Sequence, residues 1–131
     1  MSATLFRLAM PVRWRDLDAF GHVNNATYLG YVEEARVRWF KSLSPDWAGE
    51  TVAPILAAIA MNYRRPCGWP ESLRIELFAE RLGNKSVTIG HRILSTTEPG
   101  LLYADGNAVM VWVDRDGQTV QLPEAIRSAC S

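Results

Sequence analysis

Between Arg13 and Arg38 the chain reads RWRDLDAFGHVNNATYLGYVEEARVR. This segment sets two carboxylates, a histidine, a glycine and two asparagines just ahead of a run with helical periodicity. Residues of these types at this spacing suit acyl transfer. The first turn of a helix presents backbone N–H groups that lack intrahelical partners, and such donors stabilise an oxyanion forming on a carbonyl oxygen. Asp18 lies a few residues before that turn, where a carboxylate can attack a carbonyl carbon or activate water. No Ser or Cys occupies a nucleophile-elbow motif, which argues against a Ser-His-Asp hydrolase.

The elements that must hold these residues follow from apolar periodicity. Phe6, Leu8, Met10, Val12 and Trp14 occupy one face and Arg7 and Arg13 the other, so Phe6 to Trp14 reads as a half-buried strand. The polar stretch Arg15 to Asn25, with Gly21 as its flexible point, breaks the pattern. Tyr28, Tyr31, Val32, Ala35 and Trp39 then fall at i, i+3, i+4, i+7 and i+11, one face of a helix. Asn24 or Asn25 is its N-cap, and Pro45 marks its end.

Val52 to Tyr63 is apolar enough for helix or strand by length, and is read as a strand buried on both faces. A loop from Pro66 to Pro70 precedes three further strands. Leu73, Ile75, Leu77 and Ala79 alternate with charges; Val87, Ile89, His91 and Ile93 do the same with Thr88, Gly90 and Arg92. Tyr103 to Val113 is the third, with Gly106 a possible bulge. Gly83-Asn84 and Pro99-Gly100 supply the turns, and Asp116-Gly117 a last one before a short tail.

A strand, a helix and four strands in a meander make a two-layer α+β domain, one helix against a five-stranded antiparallel sheet. At 131 residues the chain, 1–131, reads as a single domain. One helix covers only part of such a sheet, so a homo-oligomer is expected.

Composition narrows the partners. Lys plus Arg and Asp plus Glu both number 14, which gives no electrostatic footprint for nucleic acid or an anionic membrane. No run approaches the ~20 apolar residues of a membrane span and no signal peptide is evident, so a cytoplasmic protein is expected. Cys67 and Cys130 match no metal or redox spacing and read as free thiols.

The pattern D-x-D-A-F-G-H-V-N-N-x-x-Y-L-x-Y-x-E-x-A-R, Asp16 to Arg36, resembles the hotdog-fold thioesterases of the 4-hydroxybenzoyl-CoA thioesterase type. The resemblance extends to Tyr63-Arg64-Arg65-Pro66 and Gly83-Asn84-Lys85-Ser86. It implies a hotdog fold, a long helix wrapped by an antiparallel sheet, and hydrolysis of acyl-CoA thioesters. It also implies that Asp18 is nucleophile or general base, and that a backbone N–H at Asn25 or a neighbour polarises the carbonyl. Lys85 and Ser86 match a segment that contacts the nucleotide half of coenzyme A. Sites between subunits of a homodimer, paired further into a homotetramer, are implied as well.

The chain departs from relatives at three places. Plant acyl-carrier-protein thioesterases carry Asn where Phe20 stands. Another subgroup has Tyr-His at Asn24-Asn25, so His22 is not its equivalent. Gly68-Trp69-Pro70-Glu71 lacks the Asp of many relatives.

Each candidate has a plainer reading beside it. Asp18 could cap the helix or pair with Arg13 or Arg15; Asp16 reads as structural. His22 could orient Asp18 or shuttle a proton. Glu34 is a second candidate carboxylate, against an ion pair with Arg38. Arg64, Arg65 and Lys85 could bind CoA phosphates, Ser86 beside them. Tyr28, Val32 and the Val52 to Met61 segment could wall the acyl group, and His91 reads as a core histidine. Asp16, Asp18 and His22 match no strong metal pattern. The expectation is an acyl-CoA thioesterase needing no metal or cofactor, with coenzyme A as part of the substrate. An acyl-carrier-protein thioesterase and a non-catalytic acyl-thioester-binding module are the alternatives.

Overall fold

The apolar periodicities resolve into elements in the computed structural model, which describes residues 3–49 and 51–131. The order is β1 (Thr4–Pro11), a single 3-10 turn (Trp14–Asp16), α1 (Asn25–Leu43), β2 (Val52–Tyr63), β3 (Ser72–Leu82), β4 (Ser86–Ser95), β5 (Leu102–Asp114), β6 (Thr119–Val120) and α2 (Glu124–Cys130). Five long strands form an antiparallel sheet in the order β1-β3-β4-β5-β2, with β6 added against β5. The helix α1 lies on one face. This is the α+β hotdog arrangement, with six strands rather than five.

The α1 helix forms where the pattern places it because its apolar stripe has a sheet to cover. Tyr28, Tyr31, Val32, Ala35, Trp39 and Phe40 are buried against Leu73, Ile75, Leu77, Val87, Ile89 and Ile93. Each aliphatic side chain so buried contributes on the order of 1.5–3 kcal/mol. Asn24 is the N-cap, its side-chain oxygen accepting from the Ala26 N–H at 2.9 Å, and the helix ends at Ser44, just before Pro45. Arg36, on the same helix, is only 3% exposed and its Nη1 has no partner among the described residues.

Four expectations need correction. First, the four strands after α1 are not a meander. Only β3, β4 and β5 are; β2 crosses to the far edge and pairs with β5 alone, Tyr63 opposite Ala104 and Val52 opposite Asp114. Second, β2 is not buried on both faces, since it is an edge strand with Ile55 and Leu56 47% and 41% exposed. Pro54 fits there, because an edge strand need not donate on both sides. Third, β1 stops at Pro11, and Trp14 turns outward on the 3-10 turn, 71% exposed. Fourth, what reads as only a short tail after Asp116-Gly117 carries two elements, β6 and α2, with Ile126 buried.

Gly106 is no bulge either. The β4–β5 and β2–β5 registers run through it unbroken. It is a place of close approach: a Cβ there would lie 2.0 Å from the Ala60 carbonyl oxygen and 2.9 Å from His91 Nε2. The imidazole of His91 passes over this bare backbone to Ala60, Nε2 to oxygen 3.1 Å. His91 is thus a core histidine, as its alternation suggests.

Burial holds the His91 imidazole below its ordinary pKa of 6.5, the nearby Arg36 charge adding to this and the bond to Ala60 opposing it. The folded state therefore binds that proton less readily than the unfolded chain. Its stability is full above about pH 6.5 and declines as pH falls from there towards the lower folded value. Thermal melts between about pH 7.5 and 5 should show this decline, and His91→Asn should flatten it. A wild-type melting temperature that holds steady over that range would contradict the assignment.

Candidate active site

The approach to α1 is built as a small closed loop. Leu17 and Val23 form an isolated antiparallel bridge, and within it the Asp18 N–H donates to the His22 carbonyl at 2.8 Å. Gly21, at φ 76°, takes the left-handed turn that closes the loop and donates to the Asp18 carbonyl at 3.1 Å. The Asp18 carboxylate completes the turn: Oδ1 accepts from the Phe20 N–H at 2.9 Å and the His22 N–H at 3.4 Å. Its second oxygen accepts no hydrogen bond among the described residues. One oxygen anchors; the other is open.

Asp16 anchors the whole loop and takes no part in the cavity. It is buried, accepting from the Arg13 N–H at 2.9 Å, from the Arg13 guanidinium at 3.0 Å and from the Tyr31 hydroxyl at 2.6 Å. Burial alone would raise its pKa, but the bonds from Tyr31 and Arg13 outweigh that and hold the carboxyl below its ordinary range. The Asp16 carbonyl accepts from the Asn24 N–H at 3.0 Å, so the same residue seats the helix cap. The structural reading of Asp16 holds, and Arg13 pairs with it rather than with Asp18.

A cavity of about 260 Å³ opens beside this loop, lined by Asp18, His22, Asn25, Tyr28, Tyr63, Arg64 and Arg65 among others. Six of the expected site residues therefore meet in one place. The Asn25 N–H, first of α1, makes no hydrogen bond among the described residues, and it carries the positive end of the helix dipole. The hydrogen bonds between His22 and Asp18 are made by the His22 backbone, and His22 is among the residues that line the cavity. Tyr28 is buried and its hydroxyl is pushed up to about 12, chiefly by burial, so it is neutral at physiological pH.

Not all of the expected residues behave alike. Arg64 is held by Asp105, Nη2 to Oδ1 at 3.0 Å, with Asn62 on the same oxygen at 3.2 Å. Arg65 lines the cavity without an ion pair among the described residues, which leaves it as the free cation. Lys85 and Ser86 are elsewhere. Ser86 pairs with Val111 while Tyr63 pairs with Ala104 on the same strand, and those seven residues separate the two ends by roughly 23 Å at ~3.3 Å each. Glu34 is tied to Arg38 at 2.7 Å on the exposed side of α1 and is not among the residues that line this cavity, in keeping with its plainer reading as an ion pair. Val32, fully buried in the core, is not among the residues that line this cavity either.

Two positioning groups were missed in the sequence. The Tyr63 hydroxyl donates to the Asn25 carbonyl at 2.9 Å, and its ring meets Tyr28 edge-on at 5.4 Å, which docks the end of β2 on the helix tip. The Glu71 carboxylate gathers the Ser95 hydroxyl at 3.0 Å, the Thr97 hydroxyl at 2.8 Å and the Tyr103 hydroxyl. It thereby fixes the loop that carries Arg64 and Arg65 from β2 across to β3. That loop reaches the site through the Cys67 carbonyl, which accepts from the Val23 N–H at 2.8 Å. The Tyr-Arg-Arg-Pro motif was the one available signal for Tyr63. Cys67 itself is buried, its thiol pushed up to about 11 chiefly by desolvation, so it is no nucleophile at neutral pH.

Tyr31→Phe would leave the Asp16 carboxylate short of a buried partner. It should lower the unfolding free energy by roughly 1–3 kcal/mol. Urea titration measures this, and a loss below ~0.5 kcal/mol would show that Asp16 does not depend on that hydroxyl.

The chain is similar to known proteins over most of its length. Residues 12–130 match the Thioesterase-like superfamily. The chain is 37% identical over 106 residues to the long-chain acyl-CoA thioesterase FadM of Escherichia coli strain K12, covering 79% of each chain. Among solved structures, it matches the PA2801 protein of Pseudomonas aeruginosa with a TM-score of 0.92, at 37% identity over 97% of this chain and 98% of that one. A thioesterase of Thermus thermophilus, complexed with coenzyme A and zinc, matches with a TM-score of 0.83, at 36% identity over 97% of this chain and 98% of that one.

Proposed function

This chain belongs to the Thioesterase-like superfamily, and from that premise we propose that it is an acyl-CoA thioesterase whose acting carboxylate is Asp18. The observation that carries the assignment is the division of labour in that carboxylate. Two backbone N–H groups hold Oδ1, while the other oxygen is open on a residue that lines the same cavity as the unpartnered Asn25 N–H.

In this reading the thioester oxygen sits on the helix tip, where the Asn25 N–H and the dipole polarise the carbonyl. Asp18 delivers an oxygen to the carbonyl carbon, either its own or that of a water molecule whose proton it takes. The carbonyl π electrons move to oxygen, and the oxyanion is held by the helix N–H. Collapse of that adduct breaks the C–S bond and releases the thiolate of coenzyme A. Thiols ionise near ~8.5, so the thiolate leaves without a general acid. If Asp18 attacks directly, the adduct collapses to a mixed anhydride, and one water molecule then cleaves this to the free acid and restores the carboxylate. His22, which lines the same cavity, is the residue we assign to help move the released proton.

Arg65 is the cation for a CoA phosphate. The exposed edge of β2 supports a homodimer, because an unpaired strand of 12 residues seeks a second one. Lys85 and Ser86, at the far end of the sheet from this cavity, would have to come from a partner subunit to meet the nucleotide half of the substrate here. No described helix is long and apolar enough to cross a membrane; a cytoplasmic location is part of the proposal.

Asp18→Asn keeps the anchoring oxygen and loses the open one. It should cut kcat on the best acyl-CoA by at least about 10²-fold with the fold intact, read by thiol release and circular dichroism. Near wild-type turnover would remove Asp18 from the chemistry. Arg65→Ala should raise KM for acyl-CoA by roughly three- to tenfold and leave kcat in place, as loss of one phosphate contact would. An unchanged KM would favour a protein-borne acyl chain, the acyl-carrier-protein reading.

A further inference from the structure

The fold treats the two adjacent arginines at the Asp18 cavity in opposite ways. Arg64 is fixed to β5 at both ends. Its N–H donates to the Tyr103 carbonyl at 2.8 Å, and its side chain reaches Asp105, two residues further along that strand. Nε and Nη2 both donate to Asp105 Oδ1, at 3.2 and 3.0 Å, and Asn62 Nδ2 donates to the same oxygen at 3.2 Å. Arg65 shares the Tyr103 carbonyl through its backbone N–H at 3.2 Å, but its guanidinium makes no ion pair among the described residues.

Stability does not explain this clamp. The Arg64 and Asp105 side chains are 53% and 26% exposed, and ion pairs so open to solvent add little to a fold. What the clamp changes is the chemistry of the guanidinium. That group carries five N–H donors in a rigid fork. Asp105 takes one from Nε and one from Nη2 and balances the charge. Both N–H groups on Nη1 and the second on Nη2 are left without a partner among the described residues, on a side chain that lines the cavity. Such a group is a fixed donor in a pair of no net charge, and its complement is a neutral acceptor. Arg65, unclamped and charged, has a phosphate as its complement.

An acyl-CoA thioester offers that neutral acceptor near its reacting carbon. Its sulfur is followed by two methylenes and an amide. Five bonds separate the thioester carbon from the amide carbon, roughly 6 Å in an extended chain. A space of about 260 Å³ with Asp18 and Arg64 in one lining spans a distance of that order.

We infer that Arg64 donates to the first amide carbonyl of the thioester's carrier arm, and that Asp105 is the positioning residue that aims it. The inference rests on the acyl-CoA thioesterase reading above. Recognition of the carrier is then divided: Arg64 reads the arm, and Arg65 a phosphate beyond it.

Three esters of whichever acyl group the wild type cleaves fastest separate these roles. They are the CoA ester, the N-acetylcysteamine ester, which keeps only the first amide, and the S-butyl ester, which has none. Arg64→Met, with Arg64→Leu beside it should the first fail to fold, should lower kcat/KM about tenfold on the first two, as losing one hydrogen bond from a charged donor would. The loss on the S-butyl ester should be at least about fivefold smaller. Asp105→Asn should lower kcat/KM on the N-acetylcysteamine ester about threefold, and should add nothing in the Arg64→Met chain, because a positioning residue acts only through what it positions. A loss confined to the CoA ester would make Arg64 a phosphate ligand, and an equal loss on all three would make its role structural. Either result overturns the inference, as does no loss, or a wild type that cleaves the CoA ester but not the N-acetylcysteamine ester. Additive losses in the double variant overturn the role of Asp105. A wild type inert on all three esters overturns the thioesterase reading instead.

Discussion

Everything at the site depends on closing a short loop against the open end of a helix. A free carboxylate on a five-residue loop would sample many positions, and its entropy would have to be lost in every turnover. Here Leu17 and Val23 bridge, Gly21 supplies the one backbone angle that closes the turn, and Asp18 spends one of its own oxygens on two of the loop's N–H groups. Beneath it, Asp16 ties the loop's start to Arg13 and Tyr31 and receives the N–H of the helix cap. Two aspartates two residues apart thus do different work because one faces the core and the other the cavity.

The second constraint is the placing of β2. By crossing to the far edge it carries Tyr63 and the two arginines to the helix tip, and the price is an exposed, largely apolar edge strand. The crossing needs a loop that stays put without regular structure, which explains the four hydrogen-bonded groups gathered on the Glu71 carboxylate. The exposed edge and the rigid crossing loop are two results of the same topology. One asks for a second chain, and the other supplies the wall of the site.

Local pattern made much of this legible. Alternation in Leu73 to Ala79 and Val87 to Ile93 marked core strands, the helical stripe of Tyr28 to Trp39 marked α1, and the Asp16 to Arg36 motif marked the loop. What local pattern does not carry is who covers a surface. Val52 to Met61 is apolar whether it is buried in its own chain or against another, so it read as a strand buried on both faces when it is an edge. Trp14 kept the period of β1, yet Pro11 had already ended the strand. Asp16 and Asp18 were separable only by motif, since their contacts with Tyr31 and with the cavity come from elements 15 residues and more away. Lys85 and Ser86 looked like neighbours of Arg65 in a ligand's path, and strand register places them at the opposite end of the sheet.

The long helix also divides the protein's chemistry between its ends. At its start, unpaired N–H groups and a dipole favour negative charge, so a polar reaction belongs there. At its end the dipole reverses and the surroundings are Phe40, Trp47 and Trp112, so charge is unwelcome and hydrocarbon is not. A thioester with a long tail is a molecule with both requirements: a carbonyl that develops negative charge and a chain that must leave water. A single helix cannot meet both at one end.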